Sequence, residues 1–138
     1  MSKLNTRNVC RYIYLLNAKI DHLAEFRTKY GTLSREQLYI IEMVAEEPGI
    51  TQKTLIGRLK REQTSISRAV QKLVDQNYLI KRQHHDDMRA SYLEVTEQSR
   101  ETLVELEEKI CEVTDDILEK LDRDEKKTLT DILEKIHI

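Results

Sequence analysis

Apolar residues recur along the N-terminal stretch at helical steps. Val9, Ile13, Leu16, Ile20 and Leu23 follow one another at intervals of four, three, four and three, a narrow seam on one face. The pattern predicts a first helix from Asn5 to about Tyr30, with Gly31 as its stop. A second helix opens at Ser34, because Ser34 and Gln37 form an S-x-x-Q capping box just before Leu38, Ile41 and Val44. Pro48-Gly49 breaks it near Glu47. Thr51 suits the N-cap of a short third helix, Gln52 to about Lys60, with Leu55, Ile56 and Leu59 apolar. After a turn through Arg61 and Glu62, a fourth helix runs from about Gln63 to Gln76. Ile66, Val70 and Leu73 form its apolar face, with Val74 beside it. Asn77 stands where a left-handed C-cap residue belongs.

The period then changes. Tyr78-Leu79-Ile80-Lys81-Arg82 reads as a strand, Gln83 to Ala90 is polar, and Ser91-Tyr92-Leu93-Glu94-Val95 alternates with Leu93 and Val95 on one face. These segments predict a hairpin with a long charged tip. Thr96 caps a long helix, about Glu97 to Leu121, whose seam is Leu103, Leu106, Ile110, Val113 and Ile117. Asp122 with Glu125 forms another capping box, opening a last helix with Leu129, Ile132, Leu133 and Ile136. The fold class is therefore mainly α with a small two-stranded wing: a winged helix-turn-helix lobe plus a helical dimerisation region. Residues 1–33 carry the first helix, 34–96 the lobe and 97–138 the C-terminal helices, in one integrated domain. The seams, with Val9, Ile13, Leu16, Leu129, Leu133 and Ile136 among their members, are too long and apolar for one small lobe to cover. Left exposed they would form large apolar patches, so they predict a homodimer.

Composition narrows the function. Of 138 residues, 35% are charged and only 5% aromatic, with no Trp, which suits long solvated helices. The net charge of −2 hides an uneven distribution. Residues 51–92 carry nine Lys and Arg against four Asp and Glu, net +5. Residues 1–50 carry seven against six, and residues 93–138 seven against fifteen, net −8. A basic lobe is the electrostatic footprint of a phosphate-backbone binder. Gly31, Gly49 and Gly57 match no phosphate loop, and no nucleophile–base pair or carboxylate dyad stands out, so an enzyme is not expected. Cys10 and Cys111 form no C-x-x-C pair, which argues against a zinc cage or a disulfide framework. Neither metal nor cofactor is expected. The apolar runs are far shorter than a membrane span, and MSKLNTRNVCRY has no secretory signal pattern, so the expected location is the cytoplasm.

The fourth helix has the chemistry for a major groove. Thr64, Ser65, Ser67, Arg68, Gln71 and Lys72 are polar opposite its aliphatic face. Arginine can make a two-pronged contact to guanine and glutamine to adenine. Lys53 and Lys72 suit phosphates, and Arg82, His84 and Arg89 place further donors on the hairpin. An ordinary amphipathic surface helix is the competing reading, as is a winged-helix module that binds protein without DNA.

At this point a resemblance emerges. Residues 34–96 resemble the DNA-binding lobe of the MarR family of bacterial transcription regulators. The wing run Asp87-Met88-Arg89-Ala90-Ser91-Tyr92-Leu93-Glu94-Val95-Thr96 is similar to the family's D-x-R, strand, Leu-Thr pattern, with Val95 in place of Leu. Thr64-Ser65-Ile66-Ser67-Arg68 and the exit Asn77-Tyr78-Leu79-Ile80 resemble the recognition helix and its end, with Asn in place of the common Gly. The outer helices also match. The resemblance implies a triangular obligate dimer based on the first, fifth and sixth helices, bound to an inverted-repeat (pseudo-palindromic) operator on double-stranded DNA. It implies that Asp87 braces the wing by pairing with an arginine and that Arg89 enters the minor groove.

It also implies an effector. Relatives respond to phenolic or lipophilic ligands, to oxidants or to metals, in a pocket to which Tyr12, His22, Tyr39 and Met43 are the candidates here. The same residues read equally as core or surface. Cys10, with Tyr14 four residues on and Arg11 adjacent, resembles the reactive cysteine of peroxide-sensing members, although Arg35 stands where those carry a further Tyr. An inert Cys10 remains the alternative. Cys111 reads as packing beside Ile110. His84-His85-Asp86-Asp87 reads as a DNA-facing or solvated tip rather than a metal site.

Overall fold

The computed structural model describes residues 6–83 and 91–137. It orders the chain as α1 (Val9–Leu23), β1 (Phe26–Thr28), β2 (Gly31–Leu33), α2 (Arg35–Glu46), α3 (Gln52–Leu59), α4 (Gln63–Asp75), β3 (Leu79–Gln83), β4 (Ser91–Val95), α5 (Glu97–Ile117) and α6 (Arg123–His137). The chain divides into two compact units: residues 25–107, and residues 1–24 with 108–138. No helix among the described residues is long and apolar enough to cross a membrane.

The larger unit is the winged lobe. Leu38, Ile41 and Val44 of α2 are buried with Leu55 of α3, Ile66, Val70 and Leu73 of α4, Leu79 and Leu93 of the strands, and Leu106 of α5. Both strands of the wing are antiparallel, with Leu79 opposite Val95 and Gln83 opposite Ser91. The segment after α2 lies along β4. Gly49 N–H donates to the Leu93 carbonyl at 3.3 Å, and Leu93 N–H donates to that of Ile50 at 2.9 Å.

Local chemistry sets the helix starts as expected. The Ser34 hydroxyl accepts from Gln37 N–H at 3.1 Å while the Gln37 side chain accepts from Ser34 N–H at 2.9 Å. Thr51 accepts from Thr54 N–H at 3.1 Å. Asp122 and Glu125 form the same reciprocal box at 2.9 and 3.0 Å. Asn77 adopts φ 65°, the left-handed conformation that ends α4.

Two expectations about element bounds are corrected. The first helix does not reach Tyr30; it stops at Leu23, and Phe26 to Leu33 form a second hairpin. Phe26 faces Leu33 across it and both are buried, so burial in the lobe overrides the helical seam. Gly31 is therefore not a helix stop. Its φ of 122° closes the hairpin turn, where the Thr28 hydroxyl accepts from Tyr30 N–H at 3.0 Å and donates to the Gly31 carbonyl at 2.8 Å. Helix α5 is also shorter than expected, ending at Ile117 rather than Leu121. Asp115 and Asp116 sit in its last turn with no basic residue there, against the negative end of the helix dipole.

The turn of the unforeseen hairpin is fastened to α5. Lys29 N–H donates to the Glu105 carboxylate at 3.2 Å, Lys29 Nζ lies 3.2 Å from Glu101, and the Tyr30 hydroxyl donates to Glu101 at 2.7 Å. The Tyr30 bond, then Lys29, lowers the Glu101 pKa below the ordinary carboxylate value. The Glu101 bond in turn raises those of Lys29 and Tyr30.

The smaller unit is loosely self-covered. No described residue of α1 or α6 is buried. Val9, Ile13 and Leu16 on α1 and Leu133 and Ile136 on α6 are all exposed.

The carboxylate latch sets a pH response. A carboxyl with a lowered folded pKa stabilises the docked turn above its unfolded pKa and loses that effect as pH falls through the folded value. Protection of the Lys29 amide, its exchange rate relative to the intrinsic rate at the same pH, should therefore fall on acidification into that range. In Glu101→Gln this pH-dependent loss of protection should be blunted. A Lys29 amide indifferent to both changes would mean the latch does not hold the turn.

Candidate nucleic-acid interface

The helix-turn-helix is built from α3, a three-residue turn and α4. The turn begins at Lys60, which takes φ 54°, a left-handed conformation unusual for a lysine. Leu55 from α3 meets the buried stripe Ile66, Val70 and Leu73, so α4 must turn its other side to solvent. On that side Thr64, Arg68 and Gln71 fall at steps of four and three, with Lys72 alongside, and all four are exposed. Ser65 and Ser67 are half-buried at the margin. Ser67 is turned toward α3, where its hydroxyl accepts from Gln52 Nε2 at 3.1 Å. Gln71 Nε2 donates to Asp75 at 2.9 Å, fixing which end of its amide points along the helix.

The basic charge is unevenly available. Arg58 is paired with Glu47, Arg61 with Glu36 at 2.8 Å, and Arg82 with Glu94 at 3.0 Å. The last is a diagonal pair across the wing that raises the Arg82 pKa. Lys53, Arg68 and Lys72 have no carboxylate partner among the described residues. His84, Asp87 and Arg89 lie outside the described residues.

The other sequence-selected residues are placed as follows. Of the α5 seam, Leu106 and Val113 are buried by the chain itself, while Leu103, Ile110 and Ile117 are half-buried. The seam is thus not a wholly free apolar face; most exposed apolar residues lie on α1 and α6, where Leu129 is half-buried, while Val104 is exposed on α5 off the seam. Of the pocket candidates, Tyr12 and His22 belong to the smaller unit and Tyr39 and Met43 to the larger. Arg35 lies over the Tyr39 ring, 5.5 Å from its centroid, and its Nε donates to the Tyr39 hydroxyl at 3.3 Å. A groove beside the hairpin turn is lined by Lys29, Glu97, Arg100, Glu101, Val104 and Glu105, and by none of the four candidates. Cys10 is exposed, with Arg11 drawn over the Tyr12 ring at 5.9 Å. Cys111 is exposed too, which corrects the expectation that it packs beside Ile110. It lies on the helix face turned away from buried Val113.

Sequence reasoning missed Gln52 and the residues of the α5 first turn that hold the end of α4. Gln52 gave no signal, because its partner lies fifteen residues on and side-chain pairing of that kind follows no period.

Helix, turn, polar-faced helix and hairpin define a winged helix-turn-helix protein. Residues 32–90 match the model described as the MarR family. The HTH-type transcriptional regulator BilQ of Clostridium symbiosum is 27% identical over 99 residues, 72% of this chain and 69% of that protein. A MarR protein from Peptoclostridium difficile is 25% identical with a TM-score of 0.78, covering 99% of this chain and 90% of its own. A mutant MarR from E. coli complexed with operator DNA has the same fold, with a TM-score of 0.80 at 19% identity over 98% of this chain and 99% of its own. Over residues 32–90, the winged lobe, the chain matches the MarR family, and the proteins it is similar to are HTH-type transcriptional regulators and MarR proteins.

Proposed function

We propose that the chain is a homodimeric repressor of bacterial genes that acts in the cytoplasm. It binds an inverted-repeat operator with α4 of each copy in a major groove, and is released by a small phenolic or lipophilic effector or by oxidation. The observation that carries this reading is the exposed stripe Thr64, Arg68 and Gln71, flanked by Lys53 and Lys72, which have no carboxylate partner among the described residues. A major groove admits a helix, and those side chains match base edges and phosphates. Arg82, His84 and, on the family pattern, Arg89 extend the interface, and on the same pattern Asp87 braces the wing.

The partner is a second copy of the chain. Val9, Ile13, Leu16, Leu133 and Ile136 are each at least 40% exposed. A two-fold partner covers such a face on both copies at once and sets two α4 helices for two half-sites. Sedimentation of the wild-type chain at micromolar concentration should give a dimer, and Ile13→Glu should shift it to monomer. A stable wild-type monomer would overturn the dimer.

Base reading and backbone holding separate by mutation. Arg68→Ala should cost about 1–3 kcal/mol on the best operator and relax preference at one base pair. Lys53→Ala or Lys72→Ala should weaken all duplexes more evenly and reduce the salt slope by about one. If Arg68→Ala leaves a full operator-mutation profile unchanged, α4 is not the reader.

The release signal has two sources. Exposed Cys10 is open to peroxide, and on the family pattern a small aromatic ligand is the other source. Operator affinity measured before and after stoichiometric peroxide decides between them. Thiol-reversible loss in wild type but not in Cys10→Ser assigns the signal to Cys10. Unchanged wild-type affinity assigns it to a small molecule instead.

A further inference from the structure

The C-terminal end of α4 is held by more than its cap. Three successive carbonyls, those of Gln76, Asn77 and Tyr78, all accept from side chains in the first turn of α5. Gln98 Nε2 donates to Gln76 at 2.9 Å, Thr96 Oγ1 to Asn77 at 2.7 Å, and Ser99 Oγ to Tyr78. Thr96 N–H adds a bond to the Tyr78 carbonyl at 3.3 Å, and Asn77 Nδ2 reaches back to Gln98 at 3.4 Å. Thr96 and Ser99 are buried, Ser99 completely.

We propose that Thr96, Gln98 and Ser99 are positioning residues for sequence reading, fixing the roll and height of α4 on the first turn of α5. The proposal rests on the reading of α4 as the groove helix. Its physical basis is direction. Ile66, Val70 and Leu73 hold α4 on the lobe through apolar burial, which is non-directional and resists separation more than rotation. Hydrogen bonds to three consecutive carbonyls at the helix exit do fix rotation. Gln71 and Arg68 are rigidly attached to that exit through about one and two helical turns respectively. A two-pronged base contact tolerates about 10–20° of misorientation, whereas Lys53 and Lys72 on long flexible stems reach phosphates from a range of poses. Loss of the clip therefore removes discrimination while leaving general affinity.

The test uses the full chain with Gln98→Glu, Ser99→Ala and the double variant. Gln98→Glu keeps shape but cannot donate to Gln76. Thr96 also caps α5, accepting from Ser99 N–H at 3.2 Å, so Thr96→Ser serves as the conservative control. Ser34→Ala destabilises the lobe without touching the clip. The probes are a duplex selected from a random pool by the wild-type chain, and a scrambled duplex of equal composition. In the clip variants the ratio of selected to scrambled affinity should fall at least about fivefold, the lower end of the effect of one mismatched base pair. Scrambled affinity and salt slope should hold within about twofold, as for backbone contacts left intact. Thr96→Ser and Ser34→Ala should keep the wild-type ratio. An unchanged ratio in the double variant overturns the proposal, as does an equal loss on both duplexes. If Ser99→Ala fails to fold, Gln98→Glu alone decides by the same ratio. If the wild-type chain selects no sequence, the groove-helix reading fails by itself. Hydrogen exchange at Gln76 to Leu79 then judges the clip: unaltered rates in Gln98→Glu overturn it.

Discussion

A hydroxyl has one proton to give and lone pairs to receive, and at Thr96 both capacities are used at once. Its oxygen accepts from the Ser99 N–H in the first turn of α5 while its proton goes to the carbonyl of Asn77, just past the end of α4. That single buried group joins the end of β4, the start of the longest helix and the exit of α4. The rest of the lobe is arranged around the same few turns. Ser99 and Gln98 reach the neighbouring carbonyls, Glu101 and Glu105 hold the turn of the first hairpin, and Leu106 closes the apolar interior. A helix so used tolerates little rotation, because each successive turn presents a different partner at a fixed angle.

What could be read in advance was what depends on neighbours in sequence. Ser34 with Gln37, Thr51, Asp122 with Glu125, and Asn77 each announce a helix end by local chemistry, and each behaves accordingly. The polar and buried faces of α4 follow from its period alone. The first hairpin was illegible because its strands are only three residues long, too short to show a period of two beside an established helical seam. Lys60 carries no sign of its left-handed backbone, since glycine or asparagine would have been the expected residue. Gln52 with Ser67 and the clip on α4 pair residues across loops, where spacing carries no information. The exposed polar stripe was legible as chemistry; which of its members are already engaged, as Ser67 and Gln71 are, was not.

Charge tells a similar story of surplus and commitment. The basic segment appears strongly positive by composition, yet Arg58, Arg61 and Arg82 each meet a carboxylate, all of them on partly exposed surfaces. Such pairs contribute little to stability, with a median of about 0–1 kcal/mol. Among the described residues this leaves Lys53, Lys60, Arg68, Lys72 and Lys81 of the segment without a carboxylate partner, four of them on or between α3 and α4. The acidic excess of the C-terminal third stands on α5 and α6, whose charge opposes a phosphate backbone.

The segment of Gly49 to Thr51 that runs beside β4 has a consequence for solubility. A small open sheet presents unpaired backbone groups at its margins, and these are templates for strand addition by another chain. On one margin of the wing the groups of Leu93 are occupied by Gly49 and Ile50, and Tyr92 is bridged to Thr51. On the other, β3 carries Lys81, whose charge opposes pairing with a like chain. The described strands of the wing are thus shielded from edge-to-edge aggregation even at the high local concentrations that crowding on DNA creates.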